Sequence, residues 1–122
     1  MEAHAYAVEA DGWDGMLFTD IQNLSMEVFG SLYFAASATS RLELGTAVTN
    51  LVTHHPAVMA SALATLHQVS VGRAHIGVGR GETALELVGI NHLQRADSRR
   101  CSENFRLTCA ATRSMSGGSR AT

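Results

Sequence analysis

The sequence predicts an α/β protein organised on a parallel sheet, and three observations carry that expectation. Short apolar runs begin at Gly15, Leu42 and Ala74, spaced by 27 and 32 residues, close to the ~30 residues of one strand–helix repeat. Each run leads into a polar or glycine-rich loop, and each loop leads into a segment of helical periodicity. Strands separated by helices cannot pair as hairpins, so they align in parallel through right-handed crossovers. The expected architecture is part of a (β/α)8 barrel or one side of a doubly wound sheet, with about three parallel βα units.

The elements follow in chain order. Residues Glu2 to Ala10 read as a helix with Ala3, Ala7 and Ala10 as a small-residue face, stopped by Asp11 and Gly12. Gly15 to Thr19 (GMLFT) is a short apolar run bounded by turn signals, as in a buried parallel strand. After a polar loop, Ser25 is expected to cap a helix whose Val28, Phe29, Leu32, Tyr33 and Ala36 share one face, closing at Ser40 and Arg41. Leu42 to Val48 is the second strand and Thr49 to His55 a polar turn. Pro56 then opens a helix at a first-turn position, where its missing N–H is no loss. Met59, Ala62, Leu63, Leu66 and Val69 mark the buried face of that helix. Val71-Gly72 turns the chain into a third strand, Ala74 to Val78, and a short helix starts near Thr83 and fades around Gly89.

Residues 93–122 differ in character. They hold six of the nine arginines, many small polar residues, and no apolar periodicity beyond Phe105 and Leu107. Such a segment buries too little to offset its ordering entropy. The expected division is an α/β domain over 1–92 and an irregular, disordered tail over 93–122, of the kind a shifted reading frame produces.

Composition narrows the function. A formal charge of −2, with every basic residue an arginine, argues against a nucleic-acid or anionic-membrane partner held by a basic surface. No apolar run approaches the ~20 residues of a membrane span. The acidic amphipathic start does not read as a signal peptide, so a cytoplasmic location is the default expectation. Cys101 and Cys109 lack CxxC spacing, and no ligand set for a metal is expected.

In a parallel sheet, ligands sit beyond the carboxyl ends of the strands. Here those ends lead into Asp20–Asn23, Thr49–His55 and Gly79–Glu82, all polar or glycine-rich. The run Gly77-Val78-Gly79-Arg80-Gly81 departs from G-x-G-x-x-G and is weak support for a phosphate loop. Its glycines also suit close approach of backbone or of a flat ligand. Asp20 is the strongest lone carboxylate for catalysis or anchoring, with a turn aspartate equally compatible. Glu82 needs burial to act as a general acid, and otherwise serves as a dipole partner at a helix start. Adjacent His54 and His55 point apart, unlike a metal-binding pair, and read as loop contacts; His75 reads as a sheet residue.

At these residues the sequence resembles a known family. DGWDGMLFTDIQNLS and ATSRLELGTAVTNLVTHHPAVMASALATLHQVSVGRAHIGVGRGETAL are similar to the luciferase-like monooxygenase superfamily, in particular its deazaflavin-dependent branch related to methylenetetrahydromethanopterin reductase. The resemblance spans roughly Ala7 to Gly89 and stops by about Leu93. It implies a partial (β/α)8 TIM barrel whose carboxyl-end loops hold coenzyme F-420, or FMN in other branches. It also implies hydride transfer to or from a small-molecule substrate. Thr46, Ala47, Val48, Thr49, Asn50, Gly79 and Gly81 would hold the cofactor, with Ala47–Val48 at the position of a non-prolyl cis peptide. Asp20 and Glu82 would be the catalytic carboxylates. The family's usual Gly and Pro are Ala47 and Leu51 here, and the histidine that follows the aspartate in several relatives is Ile21.

A full barrel takes ~250 residues and eight strands. Three strands imply a truncated member, inactive as this fragment, that exposes two sheet edges and is compatible with a homo-oligomer. The rival reading is a catalytically silent α/β half-barrel acting only by association. A Rossmann-type nucleotide site ranks last, because Asp97 lies near the required spacing but no strand precedes it.

Overall fold

The structure is a computed structural model that describes residues 1–116, with side-chain surroundings through Cys109. The expected alternation is present: α1 (Glu2–Ala10), β1 (Gly15–Phe18), α2 (Val28–Ala38), β2 (Glu43–Asn50), α3 (Pro56–Val69), β3 (Ala74–Gly79), α4 (Glu82–Leu87) and α5 (Arg95–Ser116). The strands form one sheet in the order β1-β2-β3, and both pairings are parallel. Gly15 pairs with Glu43 and Phe18 with Thr46; Leu44 pairs with Ala74 and Thr46 with Ile76. The register then shifts between Thr46 and Thr49, so that Thr49 faces Val78 and Asn50 faces Gly79. This irregularity carries β2 two residues past the expected end at Val48.

The sheet has two unlike faces. Phe18, Leu44 and Thr46 are buried, together with Val28, Phe29, Leu32, Leu42, Met59 and Leu66. Their strand neighbours on the opposite face, Leu17, Glu43 and His75, are exposed. Helices therefore pack on one face only. Alternation along a strand makes that division possible, because successive side chains point to opposite faces.

Several local expectations need correction. The packing face of α1 is Ala5 with half-buried Val8, whereas Ala3, Ala7 and Ala10 are exposed. The cap of α2 is Glu27, whose carboxylate accepts the N–H groups of Phe29 and Gly30 at 3.1 and 2.5 Å. Ser25 is occupied inside the preceding loop, where its hydroxyl donates to Ile21 O at 3.0 Å and accepts from Ile21 N at 3.2 Å. On α3 the fully buried positions are Met59, Ala60 and Leu66, while Val69 is exposed.

The largest correction concerns the segment expected to be irregular. Residues Arg95–Ser116 form a helix, α5, that packs against α3. Phe105 is buried in the core, and Leu93, Cys101 and Cys109 are partly buried against it. Spacing of 101, 105 and 109 is a helical stripe once cysteine is counted as a small apolar residue. Residues 117–122 of the expected tail lie outside the described residues.

Two polar clamps fix the layers. Arg73, buried at the start of β3, donates to Ser70 O, Leu42 O, Ala36 O, Thr39 O and Thr39 Oγ1 at 2.6 to 3.1 Å. It thereby serves two carbonyls at the end of α2, where the helix dipole favours a cation. Glu9, near the end of α1, accepts the backbone N–H groups of Ser40, Arg41 and Leu42 at 2.7 to 3.1 Å. The Arg41 guanidinium answers by donating to Glu9 O and Trp13 O.

Candidate functional site

The carboxyl ends of all three strands converge on one cleft of about 340 Å³. Its lining includes Asp20, Ala47, Val48, Asn50, Gly81 and Glu82. Six of the nine sequence-derived candidates are thus brought together. The other three lie directly behind the wall: Thr46 and Thr49 are buried in β2, and Gly79 ends β3 against Val48.

The wall is made by the irregular end of β2. The Ala47–Val48 peptide is cis, and both residues are exposed. Thr46 bridges the irregularity, donating from Oγ1 to Gly77 O at 2.9 Å and accepting from Gly77 N at 3.1 Å. A Cβ on Gly77 would lie 2.6 Å from Thr46 O, and one on Gly79 would lie 2.7 Å from Val48 Cγ2. Only glycine lets β3 approach this closely, so strand contact by itself accounts for Gly77 and Gly79.

Asp20 sits just beyond β1 and is 4% exposed. Its carboxylate receives three side-chain hydrogen bonds: Thr49 Oγ1 and His54 Nε2 reach Oδ2 at 2.6 and 2.9 Å, and Gln22 Nε2 reaches Oδ1 at 2.7 Å. Burial pushes the acid's pKa up, but the bonds from His54, Thr49 and Gln22 outweigh it and hold the group below the ordinary aspartate value. The same bond to Asp20 raises His54 above the ordinary histidine value against the opposing effect of burial, with Glu27 adding to the rise. His54 also stands edge-on to Phe29, ring centroids 5.6 Å apart at 88°. The contact therefore favours the imidazolium on His54 and the carboxylate on Asp20. A carboxylate so fully engaged is an anchor of charge and geometry rather than a free acid.

Asn50 is 1% exposed. Its Oδ1 accepts from Val52 N, Thr53 N and Thr53 Oγ1 at 2.9 to 3.2 Å, which fixes the amide's orientation. Its Nδ2 is buried with no partner among the described residues. A buried donor without an acceptor is costly, which makes this atom the unsatisfied point of the cleft lining. Glu82 opens α4 at the rim, with its side chain 56% exposed and ion-paired to Arg80.

Sequence reasoning missed His54 and Gln22 as partners of Asp20. A signal existed: Asn50 with Thr53 three residues on is a side-chain turn that folds the loop back on itself. That fold returns His54 beneath the end of β1. Among the described residues no group of three His, Cys, Asp or Glu side chains is placed to hold a metal ion.

Parallel βα units with a ligand-sized cleft at the strand ends place the molecule among barrel-type α/β proteins. Comparison with known proteins goes further. The luciferase-like monooxygenase family matches residues 1–116, and the chain belongs to that family. The match runs past Leu93, where the motif resemblance stops, and takes in all of α5.

The chain is 37% identical over 89 residues to 5,10-methylenetetrahydromethanopterin reductase of Methanolobus tindarius, covering 72% of this chain and 27% of the relative. It is 41% identical over 83 residues to the enzyme of that name from Methanopyrus kandleri, covering 67% and 24%. Among solved structures, the coenzyme F-420 dependent tetrahydromethanopterin reductase of Methanopyrus kandleri superposes with a TM-score of 0.67 at 32% identity. It covers 75% of this chain and 27% of that one. A monooxygenase from Streptomyces bottropensis shares the fold, with a TM-score of 0.70 at 23% identity over 88% of this chain and 34% of its own. The chain thus spans about a quarter of the length of the curated relatives it matches.

Proposed function

We propose that the cleft binds the planar ring of a redox cofactor, coenzyme F-420 with FMN as the alternative, and serves hydride transfer to or from a small organic substrate. The observation that carries this reading is the unpartnered Nδ2 of Asn50, buried beside a wall of Ala47 and Val48. A flat ring with carbonyl acceptors at its edge fits that combination: apolar surface for the face, one rigid donor for the rim. When bound, either cofactor supplies a ring carbon or nitrogen that accepts or gives a hydride.

The chain's own residues do the rest. Ala47 and Val48 form the face, held by the Thr46–Gly77 bridge. Gly79 and Gly81 keep the approach clear of side chains. Thr49 locks Asp20 to the strand end, and Asp20 holds His54 beside the ring site. Glu82 stands at the rim, where it can meet a substrate. The relatives' names support the F-420 reading, since a reductase described as dependent on that coenzyme shares 32% identity with this chain.

Fluorescence titration and thermal shift with coenzyme F-420 and with FMN test the proposal. A ligand that binds only the folded state raises the midpoint by mass action. Absence of binding by both at high concentration would leave the catalytically silent half-barrel, acting by association, as the reading for this chain.

A further inference from the structure

We infer that His54 is the positioning residue of the cleft: protonated on Asp20, it cancels that carboxylate's charge, and the cleft admits an anionic ring ligand well only in that state. The inference rests on the reading of the cleft as a cofactor site.

The argument begins with charge. The ionisable groups lining the cleft are Asp20, Arg80 and Glu82, and behind Asp20 stand His54 and, facing it, Glu27. Arg80 and Glu82 pair with each other at the rim and cancel. Of the rest, Asp20 with His54 is neutral as a pair when the imidazole is charged and −1 when it is not. Thr49 and Gln22 also bind Asp20, but neither can carry charge. Hence one proton on one histidine changes the charge beside the cleft by one unit.

The geometry allows His54 no ready alternative. Its side chain is 18% exposed, its Nε2 lies 2.9 Å from Asp20 Oδ2, and its ring is held edge-on by Phe29. From the elements packed around it, the charged groups facing it are Asp20 from the β1 end and Glu27 from the start of α2; β2 offers the uncharged Thr49. Neighbouring His55 is turned away, its Nδ1 accepting from Ala57 N at 3.2 Å to cap α3. Both facing groups are acids, so both favour the imidazolium.

The test is the affinity for FMN and coenzyme F-420 from about pH 6 to about pH 9, in the wild type, His54→Arg and His54→Gln. The wild type is expected to lose about tenfold in affinity across that range, from one uncompensated charge near the ligand. His54→Arg, charged throughout, keeps its affinity and reports the ligand's own ionisation; His54→Gln binds weakly at every pH. Neutral riboflavin shows little of the loss. If wild type and His54→Arg weaken in parallel, the inference is overturned and the cofactor reading stands. If none of the three proteins binds either ligand at pH 6, the cofactor reading falls and takes this inference with it. Should the variants fail to fold, NMR titration of His54 in the wild type decides. Its midpoint must rise when FMN binds, by linkage, and an unmoved midpoint overturns the inference.

Discussion

Single side chains hold this fold at two margins that experiment can reach. Val71 follows α3 with φ +56° and is 89% exposed. A β-branched residue in left-handed backbone is disfavoured by about 1–2 kcal/mol, and nothing is gained here in packing. Val71→Asn is therefore expected to stabilise by about 1 kcal/mol, read as a rise of a few degrees in Tm. The Asp20–His54 pair sets the second margin. Asp20 is held low, so its contribution is complete above the ordinary aspartate value of 3.8 and is lost as pH falls through the lowered one. His54 is held high, so its contribution is complete below 6.5 and is lost as pH rises through the raised value. Urea unfolding should show a plateau between roughly pH 4 and 6.5, falling on both sides. His54→Ala should remove the alkaline fall and cost about 2 kcal/mol on the plateau. Retention of the alkaline fall in that variant would assign it to another group.

Among the elements, the sheet end is the most constrained. Gly77→Ala places a Cβ 2.6 Å from the backbone of Thr46. Neither strand can yield without breaking the Thr46 bridge, so about 1–3 kcal/mol of stability should be lost along with ligand binding. At the other end of the sheet, Arg73→Met strips the carbonyls of Ala36, Thr39, Leu42 and Ser70 of their donor. The expected cost is about 3 kcal/mol by chemical denaturation. Arg73→Lys should recover little, because a compact ammonium cannot span carbonyls that a guanidinium fork reaches together. These devices also mark what was legible beforehand. Strand–loop–helix order, Pro56 at a helix start and the three converging loops follow from period and turn chemistry, which act locally. The continuation of β2 to Asn50, the Glu27 cap and the return of His54 to Asp20 depend on contacts between residues far apart in sequence. No window of sequence contains both partners. The resemblance, rather than periodicity, located Ala47 and Val48 on the wall.

At the scale of the whole molecule, the informative error is α5. Read for thiol chemistry alone, Cys101 and Cys109 carry nothing, which leaves Phe105 isolated in a polar stretch. Read for volume, the three residues form a stripe four residues apart, and the helix has a reason to dock on α3. That docking closes the helical layer, while the opposite face of the sheet keeps Leu17 and Val48 62% and 48% exposed. Stability must therefore come from a single covered face, and α5 supplies a large part of its rim. Phe105, 7% exposed, is the central contact of that helix. Phe105→Ala should cost about 3–5 kcal/mol, a large share of the 5–15 kcal/mol typical of a domain. Cys101→Ser, at the partly buried edge of the same stripe, should cost about 1 kcal/mol through lost apolar contact alone. The two can be read by urea denaturation beside the exposed control Leu107→Ala, which should change little. If Phe105→Ala and Leu107→Ala prove equally mild, α5 contributes no packing energy and the domain would end before it.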